Sequence, residues 1–398
     1  MSVALRFLIT NSIYPEFLLW LYNQHPGLEK QLYEEQMRVV MASLFGVADF
    51  YSSNLFKLGH EAWDIHASNE WAQKAWATEQ GMKFYEPTPV QGRWEGGLRR
   101  ARRLAGRTPL RYLKPLLRPV PRSLDSQQSW FHDILAEQVK HNKPDVLLNQ
   151  SMRAIGSDFL KEIKPHVRLL MGQHAATPLA DAEDFSCYDL VVSSFPPTVE
   201  YFYEKGIPAE INRLGFEPRV LSCLAAEGKA SDVTFIGSFH GVHSSRVALL
   251  EYICARFPSL RIWSPAIEHL PPASPIRGCY EGRAWGQHMY QILRDSRITL
   301  NHHGEIAPYA NNMRLYEATG VGTMLLTDWK ENLHEMFEPG KEVVAYRTPE
   351  ECAELTTYYL EHEDERKAIA RAGQERTLRD HTYSHRMREL VDIVRKYL

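Results

Sequence analysis

MRLYEATGVGTMLLTD, residues 313–328, joins a short helix that carries one glutamate to a glycine and then to an apolar segment that ends in an aspartate. Asn311 or Asn312 can cap this helix, because an asparagine side chain accepts hydrogen bonds from unpaired first-turn amides. Gly320 can adopt the left-handed conformation that ends it. Residues 323–327 are then predicted to form a buried parallel strand. This succession is typical of a nucleotide-binding α/β domain.

The start of this helix predicts a phosphate site, and Glu317 predicts a ribose site. Unpaired amides at the positive end of the helix dipole favour a phosphate group. Glu317 lies one turn further along, where its carboxylate can accept hydrogen bonds from the ribose hydroxyls. A capped helix with one glutamate also occurs in ordinary βαβ units, so the spacing alone leaves a packing role open.

The chain of 398 residues exceeds the usual size of one hydrophobic core, so two domains are expected. It contains no run of about 18 apolar residues that could span a membrane, and the opening VALRFLIT is predicted to be a strand rather than a signal peptide. The five cysteines are widely spaced and odd in number, which argues against a disulfide framework and a structural zinc site. We therefore expect a cytoplasmic protein.

Strands and helices alternate along the chain, which predicts parallel sheets with helices on both faces. The expected fold class is α/β, with two Rossmann-like parallel-sheet domains that face a cleft and with helices at the C-terminus. We assign residues 1–216 to the N-terminal domain and residues 231–398 to the C-terminal domain. The polar, small-residue segment 217–230 is the predicted linker.

Ligand-binding side chains of the N-terminal domain are expected where its strands end. Tyr14 and Glu16 follow the first predicted strand, although a packing role fits them equally well. His66 lies at the end of the second strand, and His174 follows a later one. Residues 31–57 are predicted to form one long helix, interrupted near its glycine.

Residues 93–122, RWEGGLRRARRLAGRTPLRYLKPLLRPVPR, contain ten Arg and Lys against the single acid Glu95. Because the whole chain carries a net charge of −3, the remainder carries −3 − 9 = −12, and the charge is strongly segregated. Leucines interleaved with arginines suit an amphipathic element on an anionic membrane surface. A basic insertion with solvated arginines is the alternative. Nucleic-acid binding is disfavoured, because Trp94 and Tyr112 are the only aromatic residues available for stacking.

A glycine turn opens the C-terminal domain. In DVTFIGSFHGVHSSR, residues 232–246, an apolar strand leads to Gly237 and Ser238 and then to a helix with Arg246 near its start. Glycines at such a turn let the backbone approach a pyrophosphate closely, and the arginine supplies a matching charge. The turn lacks the full dinucleotide fingerprint and the lysine of a P-loop. It therefore predicts a nucleotide site only when it is taken together with the Glu317 helix.

Residues 313–328, the following WKENLHEMFEPGKEVVAY and the later AGQERTLRDHTYSHRM resemble the C-terminal half of glycosyltransferases related to the spore-maturation (CgeB-like) family. That family has the two-domain glycosyltransferase B (GT-B) fold. The resemblance covers residues 230–398, and the N-terminal half is similar in layout. It implies transfer of a sugar from a nucleotide diphosphate sugar to an acceptor bound on the N-terminal side, near Tyr14 and Glu16.

The resemblance also implies which residues hold the donor. Glu317 would bind the ribose, and the glycine turn would approach the leaving group. The remaining donor-binding positions that it implies are Gly237, Ser238, Arg246, Ala310, Asn311, Asn312 and Arg314.

The implied catalytic residues are His174, which would border the anomeric carbon, and Glu305. Many retaining relatives carry a glutamate where this chain has Tyr309, and Glu305 is the nearest acid. The usual Arg and Lys pair of the glycine loop is replaced by Ser238 and His243. These departures leave the sugar and the stereochemistry open.

The expected function is therefore a glycosyltransferase that acts on a glycan, lipid-linked or protein acceptor, with retention as one of the two stereochemical outcomes that stay open. No Asp-x-Asp triplet occurs, so no metal and no further cofactor is expected. The alternatives are a sugar-nucleotide epimerase of the same fold, a noncatalytic nucleotide- or glycan-binding protein, and a protein that acts at a membrane surface through residues 93–122. No nucleic-acid partner is expected.

Overall fold

The computed structural model describes residues 3–83, 126–175, 184–226, 228, 231–239 and 241–398. The basic segment predicted at 93–122 lies outside these residues. Within the described part of the chain, no helix is both long and apolar enough to cross a membrane.

The first half of the chain forms a six-stranded sheet in which all neighbouring strands are parallel, in the order β2-β1-β3-β4-β5-β6. Every residue of the three central strands β3, β4 and β5 is buried, as expected for strands covered by helices on both faces. The strands are β1 (Arg6–Asn11), β2 (Glu61–His66), β3 (Val146–Asn149), β4 (Leu169–Gln173), β5 (Leu190–Ser193) and β6 (Ala209–Ile211). The helices are α1 (Pro15–Gln24), α2 (Tyr33–Ala42), α3 (Phe50–Lys57), α4 (Glu70–Glu79), α5 (Ser126–Asn142), α6 (Ser157–Ile163) and α7 (Pro196–Glu204).

The second half forms another parallel six-stranded sheet, in the order β12-β11-β10-β7-β8-β9. Its strands are β7 (Ser231–Ile236), β8 (Leu260–Trp263), β9 (Tyr280–Gly282), β10 (Ser296–Asn301), β11 (Met324–Asp328) and β12 (Val344–Tyr346). The helices are α8 (Val220–Cys223), α9 (Ser245–Cys254), α10 (Ile276–Cys279), α11 (Gly286–Arg294), α12 (Arg314–Gly320), α13 (Pro349–Glu361), α14 (Glu363–Asp380) and α15 (Tyr383–Tyr397). The predicted fold class, two parallel α/β sheets with C-terminal helices, is confirmed.

Each sheet has a point at which the order of its strands reverses. It lies between β1 and β3 in the first sheet and between β7 and β10 in the second. In open α/β sheets, ligands bind in the crevice beyond the carboxyl ends of the strands at such a point. The loops that follow these four strands are therefore where a site is expected.

The helix predicted for residues 31–57 consists of α2 and α3, and the loop between them lies at the predicted interruption near Gly46. Leu44 and Ala48 adopt positive φ angles of 57° and 38°, and Gly46 between them has φ 63°. Positive φ is unfavourable for residues with a side chain, so the helix cannot continue through this loop. Gly320 does end α12 as predicted, but the left-handed glycine after this helix is Gly322, with φ 88°.

Helix α15 packs against the N-terminal sheet, although the predicted domain of residues 231–398 places it on the C-terminal side. Arg386 is buried and donates from Nε to the carbonyl oxygen of Leu214 at 2.8 Å. Asn212 donates from its side-chain amide to the Arg386 carbonyl oxygen at 3.1 Å. The Tyr383 ring lies 5.2 Å from the Phe50 ring. In space, the last helix belongs to the N-terminal half.

The two halves share one hydrophobic cluster. It contains buried residues of the first sheet, such as Phe7, together with Tyr290, Leu315 and Tyr383 from the second half of the chain. A backbone contact adds to it, because the Gln287 amide donates to the carbonyl oxygen of Ser43 at 2.9 Å. The halves are therefore held against each other around the cleft.

Candidate active site between the two sheets

Two adjoining cavities lie between the carboxyl edges of the sheets. We call the one beside the second sheet the C-terminal cavity, of about 300 Å³, and the one beside the first sheet the N-terminal cavity, of about 340 Å³. Four residues line both of them: Tyr14, Phe45, Gly46 and Met313. A ligand in one cavity would therefore lie next to a ligand in the other, on either side of this shared wall.

An aromatic cluster forms much of that wall. Phe45 stacks on Phe17 with ring centroids 4.0 Å apart, and Trp285 meets Phe45 edge-on at 5.0 Å. Tyr14 packs on Phe45 at 5.9 Å but remains 62% exposed. The predicted position of Tyr14 at the cleft is thus found, whereas Glu16 is exposed in the first turn of α1 and lines neither cavity.

The glycine turn after β7 brings backbone and guanidinium together at the C-terminal cavity. A β-carbon at Gly237 would lie 3.1 Å from Arg246 Nη1 and 3.0 Å from the ring of Phe235, which leaves little room for a side chain. Arg246 donates from Nη1 to the Ser238 carbonyl oxygen at 3.0 Å and from Nε to the His302 carbonyl oxygen at 2.7 Å. These contacts fix the guanidinium beside the turn.

Arg246 is only 7% exposed, and within the described residues no carboxylate lies within ion-pair distance of it. Burial lowers its pKa to about 10, which still leaves it protonated at neutral pH. A buried cation that has only carbonyl partners is costly unless an anion completes its surroundings. The cavity therefore favours a negatively charged ligand.

Glu317 and Arg314 form a buried pair on α12. Arg314 Nη1 lies 2.9 Å from Glu317 Oε2, and both side chains line the C-terminal cavity. Arg314 also donates from Nη2 to the carbonyl oxygen of Ile236 at 3.3 Å. Burial raises the pKa of Glu317, while the nearby Arg314 charge opposes that rise. The carboxylate is thereby held in the cavity with one oxygen committed to the arginine.

The asparagines before α12 have different surroundings. Asn312 lines the C-terminal cavity, accepts from the Leu315 amide at 3.3 Å as the predicted cap, and donates to Asn301 Oδ1 at 2.9 Å. Asn311 donates from its side chain to the carbonyl oxygen of Ala175 across the cleft, next to His174. The Ala310 amide donates to Asn332 Oδ1 at 2.6 Å and so is already satisfied by its own chain. Of the three loop residues predicted to hold a diphosphate, the structure places Asn312 at this cavity.

Two histidines lie near Arg246 at the edge of the second sheet. His243 lines the C-terminal cavity, and burial lowers its pKa to about 4, so the ring is neutral. His303 donates from Nδ1 to Asp328 Oδ1 at 2.6 Å. Burial opposes ionisation of Asp328, but the His303 hydrogen bond and neighbouring positive groups hold its pKa well below the usual range. His303 is thus fixed in orientation by an ionised carboxylate.

The predicted catalytic residues are not brought together. His174 follows β4 and lines the N-terminal cavity, with its amide donating to the Val192 carbonyl oxygen at 3.3 Å. Glu305 is exposed and lines neither cavity, because its loop is held outward by a 2.8 Å bond from its amide to the Val242 carbonyl oxygen. The prediction of Glu305 as a catalytic acid therefore has no support from its position. Tyr309 packs edge-on against Phe195 of the other half.

Several cavity residues were missed from the sequence. Phe45 lies beside the predicted helix interruption but was not predicted to line a site, and neither was Trp285. Gln150, which directly follows β3, also lines the N-terminal cavity. Its place at the end of a parallel strand is the signal that could have identified it.

The described residues contain no group of three or more His, Cys, Asp or Glu side chains that could hold a metal ion. The positive charge at the C-terminal cavity instead comes from Arg246 and Arg314, both of which line it.

Known proteins resemble this chain in both sequence and fold. Residues 246–392 match the model of a family described as glycosyl transferase-like. None of the curated proteins has a matching sequence.

Solved structures match the whole chain at low sequence identity. A glycosyltransferase from Rickettsia africae ESF-5 is 11% identical with a TM-score of 0.57, covering 100% of this chain and 99% of its own. HepE from Anabaena, solved in complex with UDP-glucose, is 9% identical with a TM-score of 0.58, covering 98% and 100%. AviGT4, a glycosyltransferase involved in avilamycin A biosynthesis, is 14% identical with a TM-score of 0.53, covering 99% and 98%. At these identities the likeness establishes the fold, which is the GT-B arrangement of two facing parallel sheets.

Proposed function

We propose that this protein is a glycosyltransferase that moves a sugar from a nucleotide diphosphate sugar to an acceptor hydroxyl. The observation that carries the proposal is the buried Arg246, which is fixed beside Gly237 and has no carboxylate partner among the residues described. A diphosphate is the anion that such a turn and cation fit. The family match over residues 246–392 and the GT-B fold support the same function.

The donor would occupy the C-terminal cavity. Its diphosphate would lie against Gly237, Ser238 and Arg246, and its ribose hydroxyls would donate to Glu317. Arg314 would hold the Glu317 carboxylate in place. Because the Anabaena relative was solved with UDP-glucose, uridine diphosphate and its glucose conjugate are the first ligands to test.

The reaction breaks the bond between the anomeric carbon and the diphosphate oxygen and forms a bond from that carbon to the acceptor oxygen. The diphosphate leaves with the electron pair, and one of its oxygens takes up the proton that the acceptor hydroxyl loses. Fixed positive charge at the leaving oxygen stabilises this step without reorganisation. Arg246 would supply that charge, and His174 would lie on the acceptor side of the reacting carbon.

We extend the proposal to a metal-independent, retaining reaction. Arginine charge can replace a divalent cation at the diphosphate, and no carboxylate is among the described residues that line the N-terminal cavity. An inverting reaction would require a base there to remove the acceptor proton before attack, and His174 would have to supply it. Anomeric configuration of the product, read by NMR, tests retention, and activity in excess chelator tests metal independence.

The finer assignments follow from the sequence. We propose a relation to the spore-maturation glycosyltransferases, a place in cytoplasmic polysaccharide assembly in a bacterium, and a glycan or lipid-linked acceptor. Residues 93–122 would then hold the protein at an anionic membrane surface. Vesicles with and without anionic lipid test this contact, because only the anionic ones should bind the full-length chain.

Calorimetry with UDP and a panel of other nucleoside diphosphates tests the donor site. We expect one nucleotide to bind selectively, also in the presence of EDTA. Arg246→Gln should weaken that binding roughly 10- to 150-fold, because a hydrogen bond to a charged group contributes about 1.5–3 kcal/mol. Arg366→Gln is the matched control, because Arg366 is also 7% exposed but pairs with Glu363 on α14.

Equal loss of affinity in both variants would show that the effect arises from general destabilisation rather than from the site. No binding of any nucleoside diphosphate by the parent protein would refute the proposed function.

A further inference from the structure

The N-terminal cavity contains two buried hydrogen-bond acceptors that nothing in the fold satisfies. His66 Nε2 and Gln150 Oε1 are both shielded from solvent and have no hydrogen-bond partner in the described part of the chain. His66 is 1% exposed, and both residues line this cavity. An unpaired buried polar atom costs about 1–3 kcal/mol, so a ligand that donates to it is favoured.

The neighbours of His66 fix which of its nitrogens accepts. Asn11 Oδ1 lies within hydrogen-bond distance of His66 Nδ1, and an amide oxygen can only accept. The proton is therefore on Nδ1, and Nε2 is the nitrogen with an unpaired lone pair on a residue that lines the cavity. Burial lowers the pKa of His66 to about 4, so this arrangement holds throughout the neutral range.

A chain of side chains fixes Gln150 in the same way. Gln150 donates from Nε2 to Gln173 Oε1 at 2.8 Å, and Gln173 donates from Nε2 to the Tyr51 hydroxyl at 2.8 Å. Because the Gln150 amide nitrogen already donates to Gln173, the amide oxygen is the atom without a partner among the described residues. Both open positions in the cavity are thus acceptors.

The charge of this cavity differs from that of its neighbour. Its described lining contains no Lys, Arg, Asp or Glu side chain, whereas the C-terminal cavity contains Arg246, Arg314 and Glu317. Two neutral acceptors without a nearby charge match uncharged donors. An anionic group would have no counter-charge there and would face two lone pairs.

We propose that the N-terminal cavity binds a neutral saccharide unit of the acceptor, with hydroxyl groups that donate to His66 Nε2 and Gln150 Oε1. This inference rests on the proposed function and names the substrate class of its acceptor side. His66 acts as a binding residue rather than as a base, because its partner Asn11 is a neutral amide that cannot stabilise an imidazolium. The exposed Tyr14 ring, which is shared with the donor side, would cover one face of the sugar.

Saturation-transfer NMR on the full-length protein with saturating UDP tests the inference. The probes are methyl β-glucopyranoside and methyl β-galactopyranoside as neutral sugars, with glucuronic acid and glucose 6-phosphate as anionic counterparts. We expect transfer to at least one neutral glycoside and a weaker response from both anions.

The variants His66→Phe and Gln150→Met remove one acceptor each at nearly constant size. Each should weaken glycoside binding roughly tenfold, the effect of one hydrogen bond, and leave UDP affinity at the parent level. His132→Phe is the matched control, because His132 Nε2 is also buried without a partner in the described chain but lies outside the cavity. It should change neither affinity.

Stronger transfer to the anions, or no transfer to either set while UDP binds, would overturn the inference even if the variants proved unstable. Failure of the parent protein to bind UDP or any other nucleoside diphosphate would count against the proposed function instead. The two results are separate, because nucleotide and glycoside binding are measured on the same sample.

Discussion

At the scale of single residues, the distribution of buried charge distinguishes the two cavities. Arg246 is unpaired by any carboxylate in the described chain, whereas the Arg314 and Glu317 charges compensate each other at 2.9 Å. A buried ion pair that loses one partner leaves an uncompensated charge, which costs several kcal/mol. Glu317→Gln keeps the shape of the side chain but leaves the Arg314 charge uncompensated, so the stability of this variant has to be measured beside its binding.

Glu317→Gln tests the ribose contact. The parent protein should bind UDP more tightly than 2′-deoxy-UDP, because only UDP has the 2′-hydroxyl that would donate a hydrogen bond to Glu317. The variant should lose most of this discrimination, which we expect to be about 1.5–3 kcal/mol, or roughly 10- to 150-fold in affinity. Calorimetry with both nucleotides measures it.

Glu217→Gln provides the comparison, because Glu217 is 1% exposed and pairs with Asn54 away from both cavities. If Glu317→Gln discriminated between the two nucleotides as strongly as the parent protein does, the ribose assignment would be wrong.

Asp64 makes the stability of the protein depend on pH. It is 7% exposed in β2, and both of its carboxylate oxygens lack partners in the described residues. Burial raises its pKa to about 7, whereas an aspartate in the unfolded chain ionises near pH 4. Between these values the folded protein holds a proton that the unfolded chain has lost. The free energy of unfolding therefore falls as the pH rises from about 4 through 7.

The variant Asp64→Asn should remove this dependence. It should unfold with nearly the free energy of the parent at pH 5 and be more stable at pH 8 by about 3 kcal/mol, because two of the three pH units of the shift lie above pH 5. Denaturant titrations at both pH values measure the difference. Asp158→Asn, which changes an exposed carboxylate on α6, is the control and should show the same pH dependence as the parent. If the free energy of unfolding of Asp64→Asn still fell with pH as in the parent, Asp64 would not be the source of the dependence.

At the scale of secondary-structure elements, the ends of parallel strands supply the site. Asn11 ends β1, His66 ends β2, Gln150 follows β3 and His174 follows β4, and all four line the N-terminal cavity. Parallel register explains this, since Asn11 and His66 are direct partners across the two strands. Residues more than 160 positions apart are brought together by topology alone.

The sequence could predict much of these elements. Strands such as Val146–Asn149 and Leu190–Ser193 are continuous apolar runs between polar ends, which leave little choice of limits. The interruption near Gly46 could be predicted, but the length of the loop could not, because two of its positive φ angles fall on leucine and alanine, which rarely adopt them. Strand β9 was missed because its three residues, YEG, have no strand periodicity.

The site was predictable to a similar degree. The positions of Glu317, Arg246 and the glycine turn at one cavity could be inferred, because local spacing links each of them to a helix or turn. The unpaired acceptors of His66 and Gln150 could not be inferred, because they depend on which polar atoms remain unpaired after the side chains pack. That is a property of tertiary contacts and not of spacing.

Gly320 at the end of α12 fixes the contact between this helix and the N-terminal half. A β-carbon there would lie 2.4 Å from the Phe216 ring, which is itself fully buried. Gly320→Ala should therefore destabilise the protein by about 1–3 kcal/mol through overpacking. Gly278→Ala is the control, because its β-carbon meets no atom within 4 Å in the described structure. Thermal unfolding of both variants makes the comparison, and equal melting temperatures would contradict the packing argument.

At the scale of the whole molecule, the chain passes twice between the two halves. The first passage follows β6 through α8 to β7, and the second joins α14 to α15. The two passages are hydrogen-bonded to each other, because the Phe216 amide donates to the His381 carbonyl oxygen at 2.8 Å and the Tyr383 amide to the Phe216 carbonyl oxygen at 2.9 Å. The N-terminal half is therefore completed only by the last helix.

Removal of residues 383–398 should expose the apolar surface that α15 covers. This helix buries six large apolar side chains: Tyr383, Met387, Leu390, Val391, Ile393 and Val394. We expect a lower melting temperature and strong binding of the dye ANS, as for other exposed hydrophobic surfaces. Removal of residues 396–398 alone, of which none is fully buried, should produce neither effect. A truncated protein that lacks α15 but melts like the parent would show that the N-terminal half does not need it.

The paired passages also determine how the halves can move. The two passages are joined at Phe216, so a rotation of one half against the other has to carry both of them. We therefore expect less freedom between the halves than a single linker would allow, so that each closure returns the same loops to the same opposing positions.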